Sequence, residues 1–237
     1  IMRELIENDR VVGGINDKST KKASEFYRTF AEGEVLETTS KTAEMVKLTE
    51  NSFRDVNIAF ANELSLICDQ LDINVWETIK LSNRHPRVNI LQPGPGVGGH
   101  CIAVDPWFIV NSAPNEAKLI RTARLINDSK PDFIMEKINQ AVKLIAKKRS
   151  EIKIACFGLA FKPDIDDLRG SPALNIAKLL TSMKFNEVLL VEPNISQLPK
   201  GFDGNSTKLS SIERTLKIAD IVVLLVDHIE FKAIDLS

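Results

Sequence analysis

The chain has 237 residues, 43% of them hydrophobic, and its 31 Lys and Arg residues nearly balance its 32 Asp and Glu residues. This length predicts two modest cores, and the balanced charge disfavours nucleic acid as a partner because such binding needs a basic surplus. No apolar run is long enough for a transmembrane helix, and three widely spaced cysteines suit neither a disulfide framework nor a zinc site, which favours a cytoplasmic protein without metal.

The first part of the chain predicts the tail of an α/β unit, in which two short strands flank a helix. These elements are predicted at residues 10–14, 18–32 and 34–38, with Asp17 or Ser19 as the helix cap, after a helix that ends near Glu7.

Between Thr42 and Leu71 there is no Pro or Gly, and apolar residues recur at helical spacing. This pattern predicts one helix much longer than the globular average, of the kind that spans two lobes or forms a dimer interface. Asn74 is predicted to cap a further helix through about Leu81, and residues 84–106 are predicted to form a loop.

Later in the chain, apolar strands alternate with helices, which predicts a doubly wound parallel sheet. Two helices are expected before it, at 115–128 and 131–148, with Pro131 at the first position of the second. The sheet elements are predicted at 152–157, 171–183, 187–191, 211–218 and 221–226. Since such sheets bind ligands at the carboxyl ends of their strands, the loop at 158–169 is a candidate site.

The glycine-rich stretch 94–101 ends in Cys101, and Asp105 follows it. A thiol at the end of a loop without side chains lets a substrate carbon approach while backbone N–H groups face the same point. Asp105 could orient a water molecule, or it could simply form a turn before Pro. We reject a dinucleotide fingerprint, because no strand enters the stretch and the Asp-Pro pair breaks any helix after it. Cys68 and Cys156 are predicted core residues, and a flexible surface loop is the alternative for Cys101.

Lys47, Asn51, Arg54 and Ile58 fall on one face of the predicted long helix, and polar residues continue through Asn57, Asn62 and Glu63. A solvated helix face is the simplest interpretation. A cation and an amide donor in adjacent turns would also form an oxyanion clamp, so this face is a candidate part of the site.

Two further segments carry charge at places where ligands bind. The segment from Arg84 to Arg87 puts two guanidinium groups and an imidazole in one loop. These groups suit bidentate pairing with phosphate, and ordinary surface charge is the alternative interpretation. Residues 162–169 contain Lys162, three Asp residues and Arg169 in the loop after the first strand of the C-terminal sheet. Metal binding is not expected there, because the glycine and terminal Glu of a calcium loop are missing.

Together these segments resemble the UDP-glucose/GDP-mannose dehydrogenase family. The resemblance is carried by residues 47–51, 98–107 and 158–169, in the order and at about the spacing of that family. It implies two oxidations of a sugar C6 alcohol to the carboxylate, with NAD⁺ as oxidant and with a thiohemiacetal and a thioester on cysteine. Within the family, the cysteine segment and residues 47–69 most resemble the enzymes that act on UDP-N-acetyl-D-mannosamine. This resemblance implies a UDP-N-acetylhexosamine substrate and a role in surface polysaccharide synthesis.

The resemblance also implies a role for each matching residue. The catalytic positions are the nucleophile Cys101, the oxyanion-stabilising Lys47, the amide Asn51 and the water-activating Asp105. The substrate contacts are Arg54, His85, Arg87, Gly98, Phe161 and Lys162, with the loop of His85 and Arg87 reaching into the other subunit of a homodimer. Arg169 matches an arginine that contacts NAD.

The expected architecture is α/β: a helical central dimerisation region with a long helix, then a doubly wound parallel-sheet C-terminal domain. Residues 1–40 are expected to be the remnant of an N-terminal dinucleotide-binding domain, 41–128 the central domain and 129–237 the UDP-binding domain. The family's true glycine fingerprint and its catalytic glutamate are not in this sequence, so we expect an inactive fragment. Two alternatives stay open: a non-catalytic dimerising nucleotide-binding module, and a thiol acyl-transfer enzyme.

Overall fold

The computed structural model describes residues 2–202 and 206–234, and its N-terminal part contains a small two-stranded parallel sheet. Its elements are α1 Met2–Glu7, β1 Arg10–Gly14, α2 Asp17–Tyr27 and β2 Val35–Thr39. The prediction that Asp17 or Ser19 caps α2 is wrong. The cap is Asn16, whose side chain accepts the N–H of Ser19. Helix α2 also ends earlier than predicted, in tight turns from Thr29 to Phe26 and from Phe30 to Tyr27.

The predicted long helix is present as α3, Ser40–Gln70, and its N-terminus is capped by the Thr39 hydroxyl. Its buried face consists almost entirely of small and polar side chains, which allows close packing and leaves polar groups to be paired. Those buried residues are Asn51, Ser52, Asp55, Ala59, Ala61, Asn62, Ser65 and Cys68. Helix α4, Val75–Ser82, follows with Asn74 as its cap, as predicted.

The middle of the chain differs from the predictions in two helices. Helix α5, Asp105–Ser112, begins where a loop end was expected, because Pro106 lies in the first turn, where a helix needs no N–H from it. The two helices predicted at 115–128 and 131–148 are one helix, α6 Lys118–Leu144, with Pro131 inside it. Packing of α6 along α3 keeps the helix continuous although Pro131 cannot bond the carbonyl of Asn127.

The C-terminal part is a four-stranded parallel sheet with the strand order β5-β4-β3-β6. Its elements are β3 Lys153–Phe157, α7 Pro172–Ser182, β4 Glu187–Val191, β5 Thr207–Leu209, α8 Ile212–Ile218 and β6 Ile221–Leu224, with 3₁₀ turns at Arg149–Glu151 and Ile229–Phe231. The short strand β5 was not predicted. If the four strands are numbered from β3 in chain order, they lie side by side in the order 3-2-1-4, as strands do in nucleotide-binding sheets. The direction in which successive strands are added therefore reverses between β3 and β6.

Alternate residues of β3 point into two different cores. Ile154 and Cys156 pack with α6 and α7 on one face, and Ala155 and Phe157 pack with Phe231 and the ends of α8 on the other. The prediction of an α/β fold with a long helix and a doubly wound parallel sheet is therefore confirmed. Within the described residues, no helix combines the length and apolar content needed to span a membrane.

Candidate active site

The glycine-rich loop before Cys101 is packed against the loop that follows β3. A Cβ on Gly98 would lie 2.7 Å from the Gly170 carbonyl oxygen and 2.8 Å from Cβ of Phe161. The N–H of Gly99 donates to the Arg169 carbonyl at 3.2 Å, and Gly99 has a φ of 82° that favours glycine. The glycines are therefore required for close approach between two chain segments, which does not fit a free surface loop.

Cys101 is the exposed one of the three cysteines, whereas Cys68 and Cys156 are buried. The carbonyl of Cys101 accepts N–H bonds from Val104 at 3.0 Å and from Asp105 at 2.8 Å, which fixes a tight turn leading into α5. Burial raises the pKa of the Cys156 thiol to about 12, so that thiol is inert near neutral pH. Of the three thiols, Cys101 alone has the exposure that a nucleophile needs.

Asp105 is held beside this turn by α3. Asn51, which is 3% exposed, donates from Nδ2 to Oδ2 of Asp105 at 2.6 Å, although the two residues are 54 positions apart. One carboxylate oxygen is thus fixed by an amide, and no hydrogen bond within the described residues engages the other oxygen, which can accept one from a water molecule or a hydroxyl. Lys47 lies one turn before Asn51, with an exposed side chain that pairs with Glu50 at 3.5 Å.

A buried polar network continues along α3 and crosses to α6. Arg124 donates to Oδ1 of Asp55 at 2.6 Å, and Asn127 donates to the same oxygen at 2.9 Å. Asn62 donates to Oδ1 of Asn127 at 2.8 Å and accepts the N–H of Gly94 at 2.9 Å. Burial raises the pKa of the Asp55 carboxyl, an effect that the Arg124 guanidinium opposes. The network ends at the first residue of the glycine-rich loop.

A cleft of about 1160 Å³ opens between the central helices and the C-terminal sheet. It lies at the carboxyl ends of β3 and β6, where the strand order reverses and where sheets of this type bind ligands. Its wall includes residues 92–96, 160–163 and 224–227, together with Trp76 and Lys130.

Lys130 is the buried cation of this cleft. Its side chain is 3% exposed, donates to the Ser65 hydroxyl at 2.7 Å and lies over the Phe133 ring at 4.6 Å. Desolvation lowers the pKa of Lys130 to about 8, although the Asp69 carboxylate opposes this change.

The loop after β3 carries Phe161, Lys162 and Arg169. Phe161 and the exposed Lys162 line the cleft, and the ammonium of Lys162 lies 5.9 Å from the Phe161 ring centre. The Arg169 side chain pairs with Asp167 at 2.7 Å and holds the pKa of that carboxyl at about 2.

A buried Glu–His pair anchors the same loop from beneath. Oε2 of Glu192 accepts the N–H groups of Leu159 at 2.7 Å and Ala160 at 3.1 Å, and it also lies 3.1 Å from Nε2 of His228. Nδ1 of His228 accepts the N–H of Asp164, so Nε2 is the ring nitrogen that donates to Glu192. The backbone amides after β3 are therefore already occupied by an internal carboxylate.

The structure brings some of the predicted site residues together and leaves others apart. Asn51 contacts Asp105, and Gly98 packs on Phe161. Arg54, His85 and Arg87 are exposed, and His85 Nδ1 accepts the Arg87 N–H at 3.3 Å within their own loop. In the parts of the chain that the structure describes, no hydrogen bond or ion pair connects these three residues or Lys47 to Cys101.

The sequence analysis missed several buried polar residues around the site. They are Asp55, Ser65, Arg124, Asn127, Lys130 and Glu192. A signal was present on α3, since Asn51, Asp55 and Asn62 follow a spacing of four and then seven residues and so share one helix face.

The chain is similar to known proteins over nearly its whole length. The model of the UDP-glucose/GDP-mannose dehydrogenase family, central domain, matches residues 41–129, and that of the family's UDP binding domain matches residues 155–237. The UDP-N-acetyl-D-mannosamine dehydrogenase of Yersinia pestis is 62% identical over 99% of this chain. The NDP-N-acetyl-D-galactosaminuronic acid dehydrogenase of Ralstonia nicotianae is 56% identical over 99% of this chain.

A solved structure, that of the UDP-D-ManNAc dehydrogenase of Pyrococcus horikoshii, superposes with a TM-score of 0.86 at 40% identity over 99% of this chain and 54% of its own. The chain spans 56% of the Yersinia protein and 54% of the Ralstonia protein. Because two successive domain models of one family match most of the sequence, and the relatives match nearly all of it, the chain belongs to the UDP-glucose/GDP-mannose dehydrogenase family.

Proposed function

We propose that the protein oxidises the C6 hydroxyl of a UDP-N-acetylhexosamine to the carboxylate, with UDP-N-acetyl-D-mannosamine as the substrate. The observation that carries this proposal is the contact of Asn51 with Asp105 at 2.6 Å, directly after the turn of the exposed Cys101. A nucleophile, a fixed carboxylate and an amide thus lie on adjacent elements, and the start of the loop that carries the nucleophile forms part of the wall of a cleft with room for a nucleotide.

In this mechanism Cys101 is the nucleophile. Oxidation of the C6 alcohol yields an aldehyde, and the sulfur adds to its carbon to form a thiohemiacetal. A second oxidation converts this adduct to a thioester, and water that is activated by Asp105 releases the carboxylate and the free thiol. Lys47 and Asn51 stabilise the oxyanions that develop at C6, since both lie on the α3 face that leads to Asp105.

The cleft at the reversal of strand order would hold the UDP part. Phe161 and Lys162 line it from the C-terminal sheet, and the substrate's diphosphate requires a cation such as Lys162. Ile58, the first residue of α3 in the cleft wall, lies seven residues after Asn51, which is about 10 Å along a helix. The sugar would therefore extend from the cleft toward Cys101, past Gly98.

NAD⁺ would accept the hydride in each oxidation. At the end of β3 the amides of Leu159 and Ala160 are occupied by Glu192 and can hold no diphosphate, neither that of NAD⁺ nor that of UDP, which leaves Lys162 as the group there for the UDP diphosphate. Arg169, at the exposed rim of the loop, is the residue that we assign to NAD contact.

We also propose a homodimer formed through α3. Four large apolar side chains on this helix are between 49% and 68% exposed, and they recur every seven or eight residues along one side. They are Met45, Phe53, Phe60 and Ile67. A second copy would bury this stripe and would bring the loop of His85 and Arg87 near the partner's substrate, which gives these exposed residues a function.

The geometry gives less support to the two alternatives. A thiol acyl-transferase needs a histidine base, but His228 is buried against Glu192, His85 bonds within its own loop and His100 adjoins Cys101 in sequence. A purely nucleotide-binding module would not need an exposed thiol beside a fixed carboxylate.

The test is NADH formation from UDP-N-acetyl-D-mannosamine and NAD⁺ by the complete protein that contains this chain, compared with its Cys101→Ser and Cys68→Ser variants. We expect activity in the parent and in Cys68→Ser, because Cys68 is buried in α3, and no turnover in Cys101→Ser. Full activity of Cys101→Ser would refute the covalent mechanism. UDP binding with no NADH from any form would favour the binding module.

A further inference from the structure

We propose that Asn62 is a positioning residue for the loop that carries Cys101. This inference rests on the proposed function, because it takes Cys101 as the nucleophile. Asn62 is fully buried on α3, and its Oδ1 accepts the N–H of Gly94 at 2.9 Å, at the start of the glycine-rich loop. A loop rich in glycine has little stiffness of its own, so its place in the site depends on tertiary bonds of this kind.

The other end of the loop is held by the same helix. Asn51 binds Asp105 at 2.6 Å, and Asn51 and Asn62 are eleven residues apart, which is about three turns and 16 Å along one face. The two asparagines therefore hold both ends of the segment 94–105, and Cys101 lies between them. Helix α3 therefore fixes the position of the segment that carries the nucleophile.

The network behind Asn62 fixes the direction of its amide. The carboxylate of Asp55 accepts hydrogen bonds from Arg124 and from Nδ2 of Asn127. Oδ1 of Asn127 therefore points away from Asp55, toward Asn62, as an acceptor. That acceptor takes Nδ2 of Asn62 at 2.8 Å, which turns Oδ1 of Asn62 toward the N–H of Gly94. The reversed amide would set donor against donor at Gly94, and a buried polar group without a partner is costly.

This network explains why a helix–helix contact that could be apolar is polar. Asp55, Asn62, Arg124 and Asn127 are each at most 1% exposed. A buried polar network contributes specificity of arrangement more than stability, and here the arrangement ends at the reactive loop. A displacement of about 1 Å at a reacting atom can lower a rate on the order of 100-fold, so a small release of Gly94 would reduce turnover.

The experiment compares the complete protein with its Asn62→Leu variant, in which an apolar side chain of similar size cannot bind Gly94. We expect kcat to fall roughly 10- to 100-fold while KM for the UDP-sugar stays within about threefold, since Phe161 and Lys162, which we assign to the nucleotide, are unchanged and only the edge of the cleft wall at Gly94 is released. We also expect the Gly94 amide to exchange its hydrogen roughly 10- to 100-fold faster, and the alkylation rate of Cys101 to change.

Ile138→Ala on α6 is the matched control, because Ile138 is buried in the C-terminal core and is not one of the residues that line the cleft. It should lower global stability without changing kcat or the Cys101 alkylation rate. An equal loss of kcat in this control, or an unchanged kcat in Asn62→Leu, would overturn the inference. An inactive parent would refute the proposed function, while Gly94 exchange and Cys101 alkylation would still decide the role of Asn62.

The unmodified protein supplies a second test that does not depend on how a variant folds. The Gly94 amide should be strongly protected from exchange, in contrast to the amide of Gly98, for which the described part of the chain shows no acceptor. Equal, fast exchange at both glycines would mean that Asn62 does not hold the loop.

Discussion

Replacement of Lys130 by Met should stabilise the protein at neutral pH. Lys130 is 3% exposed, and its ammonium has one neutral hydrogen-bond partner among the described residues, the Ser65 hydroxyl. Its pKa is about 8 in the folded chain, against an ordinary value of 10.5. At about 1.4 kcal/mol for each pH unit, burial of this charge costs on the order of 3 kcal/mol.

The sign of the pH dependence follows from proton binding. Below pH 8 both the folded and the unfolded chain carry the proton, so the full cost is present. Between pH 8 and 10.5 the folded chain has lost the proton while the unfolded chain keeps it, so the free energy of unfolding contributed by Lys130 rises with pH. Above 10.5 the cost is gone.

The assay is urea unfolding of the parent and of Lys130→Met from pH 7 to pH 10.5. After about 1 kcal/mol is subtracted for the lost bond to Ser65, we expect the variant to be more stable by about 2 kcal/mol at pH 7. That difference should fall as the pH rises and should reverse near pH 10.5, where the charge cost is gone and the lost bond to Ser65 leaves the variant less stable by about 1 kcal/mol.

Lys137→Met is the control for this assay, since Lys137 is a half-exposed lysine on the same helix that pairs with Asp69 at 2.5 Å. It should change stability by less than about 1 kcal/mol. A Lys130→Met protein that is less stable at pH 7, or a difference that does not change with pH, would refute the reasoning.

Two further substitutions test packing and charge around the site. Gly98→Ala places a Cβ 2.7 Å from the Gly170 carbonyl, so we expect a loss of about 1–3 kcal/mol in urea unfolding, whereas Gly94→Ala meets nothing within 4 Å and should be nearly neutral. Equal effects of the two would contradict the docking of the loop. Asp55→Asn replaces the buried carboxylate partner of Arg124 by a neutral amide and leaves only the half-exposed Asp128 as its anionic partner, so it should cost about 3 kcal/mol, against less than about 1 kcal/mol for Asp128→Asn, whose side chain is 50% exposed. A small effect of Asp55→Asn would mean that Asp128 alone is enough to neutralise the guanidinium.

Several parts of the molecule follow from local sequence alone. The long helix is recognisable because Thr42 to Leu71 contains no helix breaker, and Asn74 caps α4 because its side chain accepts two backbone N–H groups there. The apolar strands and intervening helices specify a parallel sheet with both faces covered. The motifs around Lys47, Cys101 and Phe161 place the chain in its family before any coordinates are considered.

Helix boundaries predicted from local sequence were wrong where tertiary contacts or the position of a proline in the helix outweigh its general helix-breaking tendency. Pro131 predicts a helix start, yet α6 runs through it because buried residues before the proline contact α3 and buried residues after it pack in the C-terminal core. Pro106 predicts a break, yet it starts α5, since a missing N–H is harmless in a first turn.

The sequence by itself determined the residue types of the site: a thiol after glycines, an acid four positions later, and amides on a long helix. Only the tertiary structure decided which of them meet. Asn51 reaches Asp105 and Asn62 reaches Gly94 because α3 lies beside the loop, and the cleft exists because the C-terminal sheet docks on the glycines. The physical reason is that burial, charge pairing and close approach depend on distances between residues far apart in the chain, which local propensity does not encode.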